Sequence, residues 1–213
     1  MTSKKNNEKI GLIGGTFDPV HIGHLFIAQT ALEEVGLDRV IFVPAGQPPH
    51  KQGLKITDSH DRIQMLREAI KNNSGFELSL CEIETDQISY TYDLLRYFIK
   101  NTPAKEIYFI MGADSFMEFR TWYRYQDLLS LGSFIVIKRR GYESEAMIRQ
   151  WKSFQNDHQA KIYIVDSPTL EISSSDIRKR IGEGKSIRYI VPEPVREYIK
   201  NNNIYLNDWS QYD

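Results

Sequence analysis

Gly11-Leu12-Ile13-Gly14-Gly15-Thr16-Phe17-Asp18-Pro19-Val20-His21-Ile22-Gly23-His24-Leu25 is the stretch on which the reading of this chain turns. An apolar run from Ile10 to Ile13 enters a double glycine, and apolar residues at helical spacing follow from Leu25 to Val35, so strand, tight turn and helix succeed one another. A helix start after such a turn presents unpaired backbone amides and the positive end of the helix dipole, which suits an anion such as phosphate. Gly14 and Gly15 permit a close backbone approach to a ligand, and His21 and His24, three apart, share one helix face. A plain turn would also account for a double glycine. The histidine pair could belong to a zinc site, but five histidines and no third ligand at a recognisable spacing disfavour that. The spacing fits neither G-x-x-x-x-G-K-[ST] nor G-x-G-x-x-G, so a P-loop hydrolase and a dinucleotide-binding dehydrogenase both lose support.

Beyond this turn, short runs rich in Ile, Val and Phe recur at Ile10 to Ile13, Val40 to Val43, Ile107 to Met111, Phe134 to Ile137 and Ile162 to Val165, and read as strands buried on both faces. Between them, Leu25 to Val35, Asp61 to Lys71, Tyr92 to Lys100, Tyr125 to Leu131 and Glu145 to Phe154 have the three- and four-residue period of crossover helices. The alternation predicts an α/β fold, an open parallel sheet with helices on both faces. Phe76 to Glu82 alternates and reads as a half-exposed extra strand, with Phe76, Leu78 and Leu80 inward. Pro44 to Asp58 follows a strand without any period, which places it at the carboxyl edge where open sheets bind ligands.

With 213 residues the chain suits a single domain, 1–213, with residues 1–8 and about 207–213 loosely ordered and the tail from Asn201 packing loosely. Lysine and arginine total 27 against 28 aspartates and glutamates, so no global field draws nucleic acid or an anionic membrane, and any phosphate site is local. A single cysteine, Cys81, excludes an internal disulfide and fits a reducing compartment, the cytoplasm. No apolar run approaches the length of a membrane span.

A second anion site is suggested by Ile172-Ser173-Ser174-Ser175-Asp176-Ile177-Arg178, which follows a strand and opens a helix. Serines at a helix start bring hydroxyls and free amides, and Arg178 a fork of donors. Ser173 and Asp176 are equally an ordinary capping box.

Taken whole, Gly14-Gly15-Thr16-Phe17-Asp18-Pro19-x-His21-x-Gly23-His24 resembles the signature of the nucleotidylyltransferase superfamily, and the Ile172 to Arg178 segment resembles its I-S-S-T-x-[IV]-R motif, with Ser175 in place of threonine. The resemblance implies a Rossmann-like fold that binds ATP, phosphate contacts from His21 and His24, and a triphosphate site completed by Arg178. Gly14, Gly15, Thr16, Phe17, Gly112, Asp114, Ile172, Ser174 and Ser175 would then bind ATP.

Pro48-Pro49-His50-Lys51, Ser89-Tyr90-Thr91-Tyr92-Asp93, and Met111-Gly112-Ala113-Asp114-Ser115 followed by Trp122-Tyr123 resemble bacterial nicotinate-nucleotide adenylyltransferases. That likeness implies a pyridine nucleotide acceptor held by Lys51, Thr85, Tyr90, Thr91, Trp122 and Tyr123, with the Trp122-Tyr123 pair at the pyridine ring. Leu94 stands where that family often has threonine, and Lys138, Arg139 and Arg140 sit where they could reach phosphates at the carboxyl edge.

The implied reaction joins ATP, with Mg²⁺ held mainly by its phosphates, to nicotinate mononucleotide, and no resident protein-bound metal is expected. Partners would be these small molecules, with neither nucleic acid nor membrane, and a homo-oligomer is compatible. Phosphopantetheine adenylyltransferase, or another small-acceptor relative, is the nearest alternative enzyme. A nucleotide-sensing module is the non-enzymatic one.

Overall fold

The computed structural model describes residues 8–49, 53–85, 87–104, 106–139, 144–168 and 170–206. Six strands form one sheet: β1 Lys9–Gly15, β2 Arg39–Pro44, β3 Phe76–Leu78, β4 Glu106–Gly112, β5 Ser133–Arg139 and β6 Lys161–Ser167. Their order is β3-β2-β1-β4-β5-β6. The pairs β1 with β4, β4 with β5 and β5 with β6 are parallel, with Leu12 opposite Phe109 and Phe109 opposite Phe134. Ile10, Leu12, Val40, Phe42, Ile110, Phe134 and Ile135 are buried, which is why their segments read as unbroken apolar runs.

The helices are α1 Ile22–Glu34, α2 Ser59–Ile70, α3 Thr91–Asn101, α4 Ala113–Met117, α5 Tyr125–Leu131, α6 Glu145–His158, α7 Ser174–Gly182 and α8 Glu193–Asn201. Asp58 caps α2 by accepting from the His60 amide, and Ser144 caps α6 by accepting from Met147. Among the described residues no helix is long and apolar enough to cross a membrane.

The order reverses direction between β1 and β4, the switch point at which open α/β sheets bind ligands beyond the strand carboxyl ends. Gly14 and Gly112 stand at those ends.

Two compact units make up the chain. Of the described residues, one takes those within 8–14, 27–41 and 90–168; the other takes those within 15–26, 42–89 and 170–206. In the first, Phe116, Phe119, Phe134 and Phe154 make an aromatic core, with Phe119 and Phe134 edge to face at 5.2 Å. In the second, α2 and α8 pack together through Met65, Leu66, Val195 and Ile199, and Tyr198 donates to Asp61 at 2.9 Å.

Three expectations change. The Ile162 to Val165 strand is not buried on both faces: β6 is the last strand of the sheet, so Ile162 points inward while Tyr163 lies exposed. The segment from Asn201 does not pack loosely through residue 206, since Ile204 and Tyr205 are both buried. The strand at Phe76 is also shorter than its alternation suggests, because the ladder stops at Leu78 and the chain turns between Leu80 and Glu84.

Candidate active site

The second unit carries both anion motifs, and it brings them together. After β1 the backbone turns through Phe17, whose φ of 51° lies in the left-handed region that a bulky residue adopts only at a cost. Burial of its ring offsets that cost: it packs against Phe42 at 5.8 Å and meets His24 edge to face at 5.0 Å. The same ring explains Gly15, where a Cβ would come within 3.2 Å of it.

From Asp18 onward the turn is held by the distant serine motif. Arg178, only 2% exposed, donates from Nη1 to the Asp18 carbonyl at 2.8 Å and from Nη2 to Ser175 Oγ at 3.3 Å. Ser174 Oγ donates to the Pro19 carbonyl at 2.9 Å. Ser173 takes the capping role instead, accepting from the Asp176 amide at 3.1 Å and donating to its carboxylate at 2.7 Å. The capping reading of the motif therefore holds for Ser173 and Asp176, while Ser174 and Arg178 bond the carbonyls of the first turn. The starts of α1 and α7 are thus tied to one turn, and each presents the positive end of a helix dipole.

At the head of α1 the two imidazoles stack, with centroids 3.7 Å apart and planes 27° from parallel. His24 Nδ1 accepts from the backbone amide of His21 at 3.2 Å. A nitrogen that accepts carries no proton, so a neutral His24 has its proton on Nε2 and is a donor there. His21 is 6% exposed, and burial lowers its pKa to about 4, so it is uncharged at neutral pH. Its Nδ1 is buried without a hydrogen-bond partner among the described residues. Gly23 makes room for that ring, since a Cβ there would lie 3.0 Å from His21 Nδ1.

Beneath the turn lies a network in which Arg62 and Tyr205 were missed by sequence reasoning. Asp18 is 2% exposed; its Oδ1 accepts from the Tyr205 hydroxyl at 2.5 Å and its Oδ2 from the Thr57 amide at 3.1 Å. Arg62, buried on α2, donates to the carbonyls of Thr16, Ala45 and Thr57 at 2.8, 3.0 and 3.0 Å. Burial lowers the Arg62 pKa, while Asp18, Tyr205 and Asp58 push it the other way. Arg62 had a legible signal, since Arg62, Leu66 and Ile70 stand four apart on the buried stripe of α2. Next to Ala45, Gly46 donates to Ser89 Oγ at 3.0 Å, and a Cβ on it would fall 2.2 Å from the Glu82 carbonyl. Thr85 accepts from the Gln87 amide at 3.2 Å. Ile172 precedes the α7 cap, with its Cβ 3.9 Å from where a Cβ on Gly23 would be.

The first unit holds the aromatic residues. Trp122 is half-buried, stacked on Phe119 at 4.9 Å and edge to face with Phe109 at 5.8 Å. Tyr123, 48% exposed, stacks on Tyr90 at 4.4 Å. The Arg124 guanidinium lies 4.3 Å from the Tyr92 ring centre. Thr91 opens α3 after Tyr90, and Leu94 is buried near Gly14. Gly112 precedes α4, and a Cβ added to it would meet nothing within 4 Å; Asp114 is in the first turn of that helix. Lys138 is buried and paired with Asp166 at 2.5 Å. Lys51 and Arg140 lie outside the described residues, as does the side chain of Arg139.

Comparisons with known proteins find relatives along nearly the whole chain. The sequence pattern of the cytidylyltransferase-like family matches residues 12–180. A probable nicotinate-nucleotide adenylyltransferase of Desulfitobacterium hafniense is 45% identical over 198 residues, covering 93% of this chain and 96% of the relative. One from Clostridium botulinum is 41% identical over 201 residues, 94% of this chain and 100% of its own. Among solved structures, a Plasmodium falciparum nicotinic acid mononucleotide adenylyltransferase complexed with NaAD superposes with a TM-score of 0.76 at 24% identity, over 93% of this chain and 98% of that one. A putative nicotinate-nucleotide adenylyltransferase of Vibrio parahaemolyticus gives 0.65 at 21% identity, over 93% and 95%.

Proposed function

The chain belongs to the cytidylyltransferase-like family and, within it, to the nicotinate-nucleotide adenylyltransferases. On that premise we propose that it moves the adenylyl group of ATP onto nicotinate mononucleotide, giving nicotinate adenine dinucleotide and pyrophosphate. The observation that carries the residue assignments is the closure of the serine motif on the histidine turn, by Arg178 at the Asp18 carbonyl and Ser174 at the Pro19 carbonyl.

In this reaction the acceptor's phosphate oxygen attacks the α-phosphorus in line as pyrophosphate leaves. The nucleophile is already an anion at neutral pH, so no general base is required. Holding two polyanions in line supplies an orientation advantage of up to about 7–11 kcal/mol, and fixed donors stabilise the charge that gathers on the bridging oxygen. His24 Nε2–H and the amides that open α7 are assigned as those donors. His21 acts as a neutral imidazole, and its unsatisfied Nδ1 is the kind of buried polar atom that a phosphate oxygen would complete. Arg178 adds a fixed positive charge behind the turn.

The true nucleotide substrate is MgATP. The carboxylates within the two motifs, Asp18 and Asp176, are already engaged by Tyr205, Thr57 and Ser173, which leaves the cation to the phosphates. Gly14, Gly15, Thr16 and Phe17, together with Ile172, Ser174 and Ser175, are proposed to line the ATP phosphates, and Gly112 and Asp114 the nucleoside. Trp122, Tyr123 and Tyr90 are proposed to offer aromatic faces to the pyridine ring, a flat electron-poor partner, and Thr91 a hydroxyl. Thr85 and Lys51 are proposed on the acceptor side. The whole chain acts as one nucleotidylyltransferase domain, in the cytoplasm.

The test is to incubate the protein with MgATP and each acceptor separately and to measure pyrophosphate. Release with nicotinate mononucleotide is expected. Release only with phosphopantetheine would transfer the assignment to that acceptor, and release with none would favour a nucleotide sensor.

A further inference from the structure

The most distant hydrogen bond to the histidine turn comes from the end of the chain. Tyr205 lies 187 positions after Asp18 in sequence, is 3% exposed, and donates its hydroxyl to Asp18 Oδ1 at 2.5 Å. Asp18 is the junction of the turn. Its carboxylate is held by Tyr205 and the Thr57 amide, while its own carbonyl receives Arg178 at 2.8 Å. Three residues further, the His21 amide donates to His24 Nδ1 and so sets which nitrogen of a neutral His24 carries the proton. The Asp18 carboxylate thus fixes one end of a short rigid segment whose other end carries both imidazoles.

We infer that Tyr205 is a positioning residue for adenylyl transfer, holding the Asp18 carboxylate so that the Arg178 contact and the His24 donor keep the geometry the triphosphate requires. Burial, reinforced by the negative charge of Asp18, pushes the phenol well above its ordinary pKa, so it stays protonated and donates at any working pH. The inference rests on the adenylyl-transfer reading of this site.

A built-in control stands on α8. Tyr198 makes the same kind of bond, its hydroxyl to Asp61 Oδ1 at 2.9 Å, but Asp61 belongs to α2 and carries no part of the turn. Tyr205→Phe removes one hydroxyl and keeps the packed ring. Tyr198→Phe does the same at a carboxylate that is not itself the one held in the turn.

With MgATP varied at saturating nicotinate mononucleotide, Tyr205→Phe is expected to lower kcat/KM for ATP by roughly tenfold to a hundredfold, as small misplacements of reacting groups do. Most of the loss should lie in kcat, with KM for the mononucleotide changed less than about twofold. Tyr198→Phe should match the wild type, both variants being assayed well below their unfolding midpoints. Nitrogen-resolved spectra of the imidazoles should show a shifted His24 Nδ1 in Tyr205→Phe and an unshifted one in Tyr198→Phe. Wild-type kinetics in Tyr205→Phe, or an equal loss in both variants, would overturn the inference. If Tyr205→Phe does not fold, Asp18→Asn, which keeps an acceptor oxygen but loses the charge, decides the matter: the same kcat loss supports it and wild-type kinetics refutes it. An inactive wild type would instead refute the reading of the site, and the imidazole spectra would still judge Tyr205.

Discussion

The stability of the ligand-free protein should depend on pH through His21 in a way that one substitution removes. In the unfolded chain this imidazole titrates at the ordinary value of 6.5, whereas in the fold burial lowers it to about 4. Between those values the unfolded state binds the proton and the native state does not, so stability falls as pH drops through this window and levels off below it. Integrating over the two values gives a loss of about 2.5 kcal/mol on going from neutral pH to about pH 4.5. For a chain of this size that corresponds to roughly 5–10 °C in Tm. Carboxylates titrate in the same region, so the quantity to measure is a difference between proteins. Urea unfolding of the wild type and of His21→Gln, each at steps from about pH 7.5 to pH 4 without nucleotide, isolates it, because the other groups cancel. The wild type should lose about 3 kcal/mol more than the variant over this range. Parallel stability curves would refute the reasoning, and so would a wild type whose stability relative to the variant rises as the solution is acidified.

His24→Ala should lower turnover by about 10² to 10³ with the fold intact, as loss of one fixed donor does, and steady-state assay of a protein with native circular dichroism checks this. Gly23→Ala places a methyl 3.0 Å from His21 Nδ1, so the stacked pair must shift; kcat should fall while Tm changes by no more than a few degrees. Gly46→Ala meets the Glu82 carbonyl at 2.2 Å, a backbone atom that cannot swing aside, and should cost about 1–3 kcal/mol or more in urea unfolding. Trp122→Ala should raise KM for the mononucleotide far more than KM for ATP, measured by varying each substrate in turn.

Much of this molecule could be read from its sequence because the informative residues are local. The apolar runs ending at Ile13, Val43, Met111 and Ile137 are strands since both faces of each are covered, and nothing but side-chain type is needed to see it. The turn from Gly14 to His24 and the serine motif, proposed above as anion sites, stood out for the same reason: their distinctive residues are adjacent in sequence. What escaped was relational. The apolar run at Ile162 is much like those of the central strands, and only the strand order places it at the margin with Tyr163 in solvent. α8 had a faint signal in Pro194, Val195 and Ile199, but its nine residues are short for a periodicity argument. Tyr205 had none, because its partner is an aspartate near the other end of the chain. Arg178 reads in sequence as a fork aimed at phosphate, yet in the fold two of its nitrogens are directed at Asp18 and Ser175.

The bond between residues 18 and 205 also bears on how the protein is made. A ribosome delivers the aspartate early and its phenol late, so for most of synthesis the buried carboxylate of the turn lacks one of its two hydrogen-bond donors. Closing so long a loop is a late, slow event. A premature stop codon that removes only the final few turns of chain would therefore abolish the enzyme at its opposite end.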